Sequence, residues 1–196
     1  MNLRMVQLIL WAAVAALLLP LIYFLWIAPR LASLAPADIG QGDYRLLAHD
    51  GRAFTEDSLR GQPSLVFFGF THCPDVCPTT LGDIALWQDE LGDLARDLRV
   101  VVITVDPERD TPEVLAGYVG WLDGAIGVTG APDEVAKALR AFRAFAARVP
   151  LEGGDYTMDH SSQILLFDRG GRFAGTISYQ SPLPEALGKL RELLAG

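Results

Sequence analysis

A long apolar run without charged side chains near the N-terminus places the strongest constraint on this chain. From Met5 to Ala28, the 24 residues contain no Asp, Glu, Lys or Arg. As a helix rising about 1.5 Å per residue, such a run reaches roughly 36 Å, which is enough to cross a hydrocarbon core about 30 Å thick. We therefore predict an N-terminal transmembrane helix and assign residues 1–28 to a membrane anchor.

A cleaved signal peptide is the alternative reading of this segment. The apolar region of a signal peptide is usually only about 7–15 residues long. The small residues of Ser33-Leu34-Ala35 have a spacing that suits cleavage, but Pro36 follows them directly and disfavours it. Because the segment also lacks the Arg- and Ser-rich character of an organelle transit peptide, we expect a single-pass protein of the bacterial inner membrane. The amino terminus and Arg4 lie before the span and Arg30 lies after it, which favours an orientation with the soluble domain on the periplasmic side.

The rest of the chain divides into a short linker and one soluble domain. Residues 29–43 are rich in Pro, Gly and Ala and are typical of a linker, which leaves residues 44–196 for the domain. The formal net charge is -8, and no basic block is present. Such a charge repels phosphate, so we expect no nucleic-acid partner.

Two apolar strands with a helix between them set the predicted architecture of the domain. Ser64–Phe70 and Val100–Val105 are continuous apolar runs, as in strands that are buried on both faces. The other predicted elements are a hairpin at 44–48 and 52–55, helices at 78–97, from Thr111 onward, at 133–147 and at 183–194, and a second hairpin at 163–167 and 172–177. This order indicates an α/β protein with a thioredoxin-like fold.

Both cysteines of the chain lie where the first buried strand passes into its helix. Cys73 and Cys77 are separated by three residues, and Pro78 suits the first position of the helix. The positive end of the helix dipole favours thiolate, the form that binds metals and attacks disulfides. A structural disulfide is the alternative, although so short a loop constrains the unfolded chain little. A thioredoxin-type redox pair more often has two residues between its cysteines.

One of the three histidines completes a predicted metal site. We expect His49 to be exposed in a turn, and His72 to point away from Cys73 because neighbours in an extended segment alternate in direction. His160 precedes the first strand of the terminal hairpin, which in a thioredoxin-like sheet lies opposite the helix that carries the dithiol. The predicted metal ligands are therefore Cys73, Cys77 and His160.

Copper is the cofactor that this ligand set predicts. Two thiolates and one imidazole form a soft, three-coordinate set that favours Cu(I) and can take Cu(II) with a weak additional ligand. A structural zinc site usually has four protein ligands, and the chain offers no third cysteine. A catalytic zinc with bound water stays open, although no general base is obvious nearby.

An acidic segment at residues 105–112 leaves the second buried strand at the same edge of the sheet as the cysteines. Asp110 or Thr111 suits a helix cap, and Pro107 suits a turn. The alternative is a functional role, in which Asp106 and its neighbours orient the metal site or contact a partner. The sequence leaves both interpretations open.

Three motifs, in this order, strongly resemble the SCO/SenC family: Phe68–Pro78 (FGFTHCPDVCP), Thr104–Thr111 (TVDPERDT) and Met158–Ser161 (MDHS). The resemblance covers roughly residues 40 to 195. It implies a thioredoxin-like fold, and it implies copper binding by two motif cysteines and a distal histidine. It also implies a role in assembling the dinuclear copper centre of cytochrome c oxidase subunit II. The cysteine motif alone would be only suggestive, because peroxiredoxins also place a threonine and a cysteine at this corner.

The expected function is therefore that of a membrane-anchored copper metallochaperone. Its expected partners are subunit II and, further, other copper chaperones or thioredoxin-like reductants. The alternative is a thiol-disulfide oxidoreductase that uses Cys73 and Cys77, without His160, to keep the copper-ligand cysteines of the partner reduced. A thiol peroxidase is a third candidate, but it typically needs an arginine near its cysteine, and none lies within the motif.

Overall fold

The computed structural model describes residues 38–196 continuously and, before them, only residues 2, 4, 5, 7, 9, 11, 16, 18 and 20. The chain divides into two units, residues 1–37 and residues 38–196. The predicted anchor at residues 1–28 and most of the predicted linker lie largely outside the described residues. In the part of the chain that the structure describes, no helix combines the length and the apolar character needed to cross a bilayer.

A seven-stranded mixed sheet organises the 38–196 unit. The strands are β1 (Leu46–Ala48), β2 (Ala53–Phe54), β3 (Ser64–Gly69), β4 (Arg99–Thr104), β5 (Ala125–Thr129), β6 (Ala146–Pro150), β7 (Tyr156–His160), β8 (Ile164–Phe167) and β9 (Phe173–Ile177). Their order in the sheet is β2-β1-β5-β4-β3-β8-β9, and β6 and β7 form a separate antiparallel pair. The three central strands, β5, β4 and β3, are parallel, while β1 and β8 pair with them in the antiparallel direction.

Four α-helices accompany the sheet within residues 38–196. They are α1 (Val76–Leu91), α2 (Pro112–Val119), α3 (Pro132–Ala141) and α4 (Leu183–Ala195), with short 3₁₀ helices at 56–59, 92–97 and 152–154. The start of α2 follows the predicted chemistry, because the side chain of Thr111 accepts a hydrogen bond from the backbone N–H of Val114 and a proline occupies the first turn. The predicted α/β architecture, both hairpins and both buried central strands are confirmed.

The register of β3 and β4 brings the two predicted functional segments together. Gly69 lies opposite Thr104 at the carboxyl ends of these parallel strands. Just beyond, the backbone N–H of Val105 donates to the carbonyl of Gly69 over 2.9 Å. The cysteine segment and the acidic segment therefore leave the sheet side by side at one edge, as predicted.

The predicted helix at 133–147 is wrong in its second half. The helix α3 ends at Ala141, and Arg143 has a φ of 53°, a left-handed conformation that stops helical hydrogen bonding. The chain then enters β6, which pairs with β7 so that Ala146 lies opposite His160. The sequence analysis did not predict β5, β6 or β7, and it placed the start of α1 two residues too late.

Candidate metal centre

The structure brings the three predicted ligands together. The sulfur atoms of Cys73 and Cys77 and a ring nitrogen of His160 all lie within 4.8 Å of one another. The Sγ of Cys77 is 3.5 Å from Nε2 of His160, although 83 positions separate the two residues in the chain. Both cysteines are free thiols. Two sulfur atoms and one imidazole nitrogen therefore converge on a space that suits one soft metal ion.

The two cysteines occupy different positions at the start of α1. Cys73 lies in the turn that follows β3, whereas Cys77 is the second residue of the helix, which begins at Val76 and not at the expected Pro78. The backbone N–H of Cys77 donates to Sγ of Cys73 over 3.3 Å. The sulfur of Cys73 thus accepts one of the free N–H groups that any helix presents at its N-terminus.

Burial distinguishes the two thiols further. Cys77 is fully buried, and Cys73 is only half-buried. Burial raises the pKa of the Cys77 thiol well above its usual value. For Cys77, this direction is opposite to the one that the sequence analysis expected from the helix dipole. A metal ion that binds here must therefore displace a proton from Cys77.

The imidazole of His160 has the tautomer that metal binding requires. Its Nδ1 lies 2.9 Å from the carbonyl oxygen of Ser161. Because a carbonyl oxygen can only accept, Nδ1 carries the proton and Nε2 keeps its lone pair. The rings of Phe67 and Phe70 meet the imidazole edge-to-face at centroid distances of 6.0 and 5.7 Å, so the ring is held on two sides.

Gly69, the last residue of β3, leaves room for the buried sulfur. A Cβ atom at this position would lie 3.0 Å from Sγ of Cys77 and 2.7 Å from Cε1 of Phe67. Real Cβ atoms essentially never approach other atoms as closely as 2.7 Å. The absence of a side chain at Gly69 therefore allows Cys77 to pack against the end of the strand.

Asp110 fixes the cysteine turn, a role that the sequence analysis did not assign to it. Its fully buried carboxylate accepts hydrogen bonds from the backbone N–H and the hydroxyl of Thr71, at 3.1 and 2.6 Å, and from the hydroxyl of Thr104, at 2.6 Å. The cap of α2 is Thr111, not Asp110. The sequence held one signal for this role of Asp110, which was its position: the acidic segment was predicted to leave the sheet beside the cysteines.

A polar cluster fixes the β6–β7 hairpin, which carries His160. The buried carboxylate of Asp106 accepts hydrogen bonds from the side chains of Arg109 and Tyr156, the latter over 2.8 Å. Arg109 also donates to the backbone carbonyl of Tyr156 over 3.1 Å. The ring of Tyr156 packs between the guanidinium groups of Arg109 and Arg148, with each guanidinium carbon 3.8 Å from the ring centroid. The acidic segment therefore contacts both halves of the candidate site.

The other two histidines lie outside the group. The ring of His72 is exposed, and its Nδ1 lies 3.1 Å from the hydroxyl of Thr71. His49 is half-buried, and its Nδ1 accepts a hydrogen bond from the backbone N–H of Gly127 over 2.9 Å. The exposed turn expected for His49 is therefore only partly observed, because its ring joins the β1–β2 turn to β5.

Comparison with known proteins assigns the chain to a family. The family described as SCO1/SenC matches residues 32–195. A SCO2-like protein, RP587, of Rickettsia prowazekii is 42% identical over 135 residues, which are 67% of this chain and 66% of that protein. The human mitochondrial SCO2 homologue is 41% identical over 148 residues, 74% of this chain and 56% of its own length. The chain thus spans between about half and two thirds of the curated relatives that it matches.

Solved structures share the fold. The copper-bound ScoI of Bradyrhizobium japonicum superposes with a TM-score of 0.70 at 42% identity, covering 78% of this chain and 98% of that one. The copper-bound Sco1 of yeast superposes with a TM-score of 0.71 at 33% identity, covering 79% of this chain and 88% of that one. The thioredoxin-like fold expected from the sequence is confirmed by this family match. Because the family match covers 164 of the 196 residues (residues 32–195) and the relatives above agree with it, this chain belongs to the SCO1/SenC family.

Proposed function

We propose that this protein is a copper metallochaperone, in which Cys73, Cys77 and His160 hold the copper that is delivered to a partner. The observation that carries the proposal is the convergence of two sulfur atoms and one imidazole nitrogen within 4.8 Å. Sulfur and imidazole ligands suit Cu(I), and Cu(II) can be held with a further weak ligand. The copper-bound relatives from Bradyrhizobium japonicum and yeast support the choice of metal.

The differing exposure of the ligands suits transfer of the cargo by ligand exchange. Cys77 is buried, whereas Cys73 and His160 are half-buried and can be approached from solvent. A three-coordinate site can accept an incoming thiolate or imidazole before one of its own ligands leaves. Copper keeps its oxidation state in such an exchange, and each thiolate that is vacated takes up a proton. Cys73, in its turn outside the helix, is the ligand expected to leave first.

The proposed acceptor is the dinuclear copper centre of cytochrome c oxidase subunit II, as the family resemblance implies. Residues 1–28 are proposed to anchor the protein in the bacterial inner membrane, and residues 29–43 to link the anchor to a copper-binding domain at 44–196. In the proposed orientation this domain lies on the periplasmic side. The charge-free run from Met5 to Ala28 supports the anchor.

The test is a competition for Cu(I) between the reduced full chain and a chelator of known affinity, under anaerobic conditions. We expect one copper per chain for the parent, and an affinity that is lower by on the order of a hundredfold or more in His160→Ala. His72→Ala is the matched control, because this imidazole lies beside Cys73 but outside the group. An unchanged affinity in His160→Ala would remove that residue from the site.

A thiol-disulfide reductase is the second candidate, and the arrangement of the two thiols favours it. The half-buried sulfur of Cys73 accepts an N–H at the start of α1, which suits a nucleophile, while the buried Cys77 suits the resolving thiol. In this reaction the two thiols become one disulfide, and a partner disulfide takes up the two electrons and two protons. Reduction of a partner disulfide that survives in His160→Ala without copper would favour this candidate.

A further inference from the structure

A basic pocket lies at the opposite edge of the sheet from the metal centre. It borders the amino ends of the three parallel strands, where β3, β4 and β5 begin, and has a volume of about 620 Å³. We call it the arginine pocket and define it by His49, Asp50, Arg52, Arg60, Arg96 and Arg99. No step of copper binding or transfer proposed above uses these residues.

The charge of the arginine pocket contrasts with that of the whole protein. The chain has a formal net charge of -8 and only 16 Lys and Arg residues. Four of these arginines line this one pocket, where Asp50 is the single acidic side chain. A concave, basic site on an acidic protein attracts small anions, which the rest of the surface repels.

Arg99, at the start of β4, is the arginine of the pocket whose charge is least neutralised by nearby carboxylates. Its Nε and one terminal nitrogen both donate to the hydroxyl of Ser64, at 3.1 and 2.8 Å. Within residues 38–196, no carboxylate lies within ion-pair distance of this half-buried guanidinium. Burial, and to a smaller extent the charge of Arg52, lowers the pKa of Arg99. A partly buried cation with a neutral partner gains stability when an anion binds beside it.

The other three arginines are exposed and held only by exposed ion pairs. Arg52, Arg60 and Arg96 each form an ion pair with a nearby aspartate, but their side chains are 75%, 60% and 84% exposed. Exposed ion pairs contribute only about 0–1 kcal/mol, so a bound anion can replace them at little cost.

His49 adds a neutral donor to the pocket. Because its Nδ1 accepts the N–H of Gly127, the neutral ring carries its proton on Nε2. A hydrogen-bond donor beside several guanidinium groups matches the oxygen atoms of a tetrahedral anion. Guanidinium groups bind phosphate in a bidentate manner, with a planar fork that matches two phosphate oxygens.

We propose that the arginine pocket binds a phosphate group, with Arg99 as its fixed anchor and the exposed arginines closing over it. The pocket is larger than a bare phosphate ion, so the group can be free phosphate or the phosphate of a glycerophospholipid headgroup. The proposal is independent of the copper function.

The test is isothermal titration of the purified full chain, in a neutral detergent, with sodium phosphate at constant ionic strength. We expect saturable binding of one phosphate per chain, weakened on the order of ten- to a hundredfold in Arg99→Gln. Arg140→Gln removes the same charge from an exposed position on α3, outside the pocket, and is expected to leave binding unchanged. Arg96→Gln, at an exposed side chain, is a second variant should Arg99→Gln fail to fold, and it is expected to weaken binding several-fold.

A parallel titration with glycerol phosphate, the soluble fragment of a phospholipid headgroup, distinguishes the two sources. Tighter binding of glycerol phosphate supports the headgroup, and tighter binding of inorganic phosphate supports the free ion. Absence of saturable binding with both probes would overturn the proposal. An equal loss of binding in the Arg99 and Arg140 variants would overturn it as well, since the effect would then reflect net charge alone.

Discussion

At His160, one hydrogen bond determines which ring nitrogen can bind a metal. The carbonyl of Ser161 holds the proton on Nδ1, and the edge-to-face contacts with Phe67 and Phe70 hold the ring plane. Nε2 therefore faces Cys77 with its lone pair available before any metal arrives. Such positioning lowers the cost of ordering the ligand when the metal binds.

Gly69→Ala tests how closely the strand end and the buried sulfur are packed. The new methyl group would lie 2.7 Å from Phe67 and 3.0 Å from Sγ of Cys77, so one of these side chains must move. We expect a loss of about 1–3 kcal/mol in the free energy of unfolding of the metal-free 38–196 unit, together with weaker Cu(I) binding. Urea denaturation and chelator competition measure the two effects.

Gly82→Ala is the matched control for this substitution. Gly82 lies within α1, and a Cβ atom there meets no other atom within 4 Å. Alanine in a helix interior is favoured over glycine by about 0.5–1 kcal/mol, so this variant should be slightly more stable than the parent. If Gly69→Ala proves as stable as Gly82→Ala and binds copper equally well, the close packing at the strand end contributes neither to stability nor to copper binding.

At the scale of elements, sequence pattern predicted β3 and β4 from their apolar runs and the two hairpins from their turns, and it missed β5, β6 and β7. β3 is buried along its whole length, and β4 nearly so, and their uninterrupted apolar runs are what the prediction used. β6 has the short sequence Ala-Ala-Arg-Val-Pro with no fully buried residue, and it is a strand because it pairs with β7. Such pairing depends on contacts between distant segments, which hydrophobic periodicity does not record.

Contacts between distant segments also limit what the sequence predicts about the candidate metal centre. All three converging residues were predicted, because the cysteine motif marks a strand-to-helix corner and the predicted topology places His160 opposite it. It did not supply the roles of Asp106 and Asp110, since a buried carboxylate and a helix cap look alike in sequence. Their roles depend on donors from Thr71 and Tyr156, which come from other elements.

Tyr156→Phe tests whether the polar cluster holds the β6–β7 hairpin. The substitution removes the hydrogen bond from the phenol to Asp106 and leaves one oxygen of a buried carboxylate without that partner. We expect faster hydrogen exchange at the backbone amides of β6 and β7, and a Cu(I) affinity that is lower by about tenfold, as for other groups that orient a metal ligand.

Tyr179 follows β9, and Tyr179→Phe is the control for this variant. It should change neither the hydrogen exchange of β6 and β7 nor the Cu(I) affinity. Hydrogen exchange followed by mass spectrometry localises the effect along the chain. Protection of β7 equal to that of the parent would show that Arg109 and Arg148 hold the hairpin without the phenol.

At the scale of the whole molecule, the candidate site joins segments that only the folded chain brings together. The cysteines follow β3 in the central sheet, and His160 ends a strand of the separate β6–β7 pair, 83 positions after Cys77. The unfolded chain keeps the two cysteines close in sequence but has no imidazole fixed beside them. Copper should therefore bind the folded chain more tightly than the unfolded chain, and so stabilise the fold.

We expect Cu(I), at a free concentration of about a hundred times its dissociation constant, to raise the melting temperature of the reduced 38–196 unit by about 5–10 °C. A ligand present at a hundred times its dissociation constant contributes about 2.7 kcal/mol, and each kcal/mol shifts the melting temperature of a domain this size by about 2–4 °C. The increase should be smaller in His160→Ala, because the folded and unfolded forms of that variant then offer the same pair of thiolates. Anaerobic differential scanning calorimetry measures the shift.

His72→Ala and the disulfide form of the parent complete this experiment. His72 lies outside the converging group, so its variant should show the full increase in melting temperature. Oxidation of Cys73 and Cys77 to a disulfide removes two of the three ligands, so the oxidised chain should not respond to Cu(I) until a reductant is added. An increase in His160→Ala equal to that of the parent would mean that the two cysteines alone account for the binding energy. The fold would then favour copper binding only by positioning Cys73 and Cys77, because a rise in melting temperature requires tighter binding to the folded than to the unfolded chain.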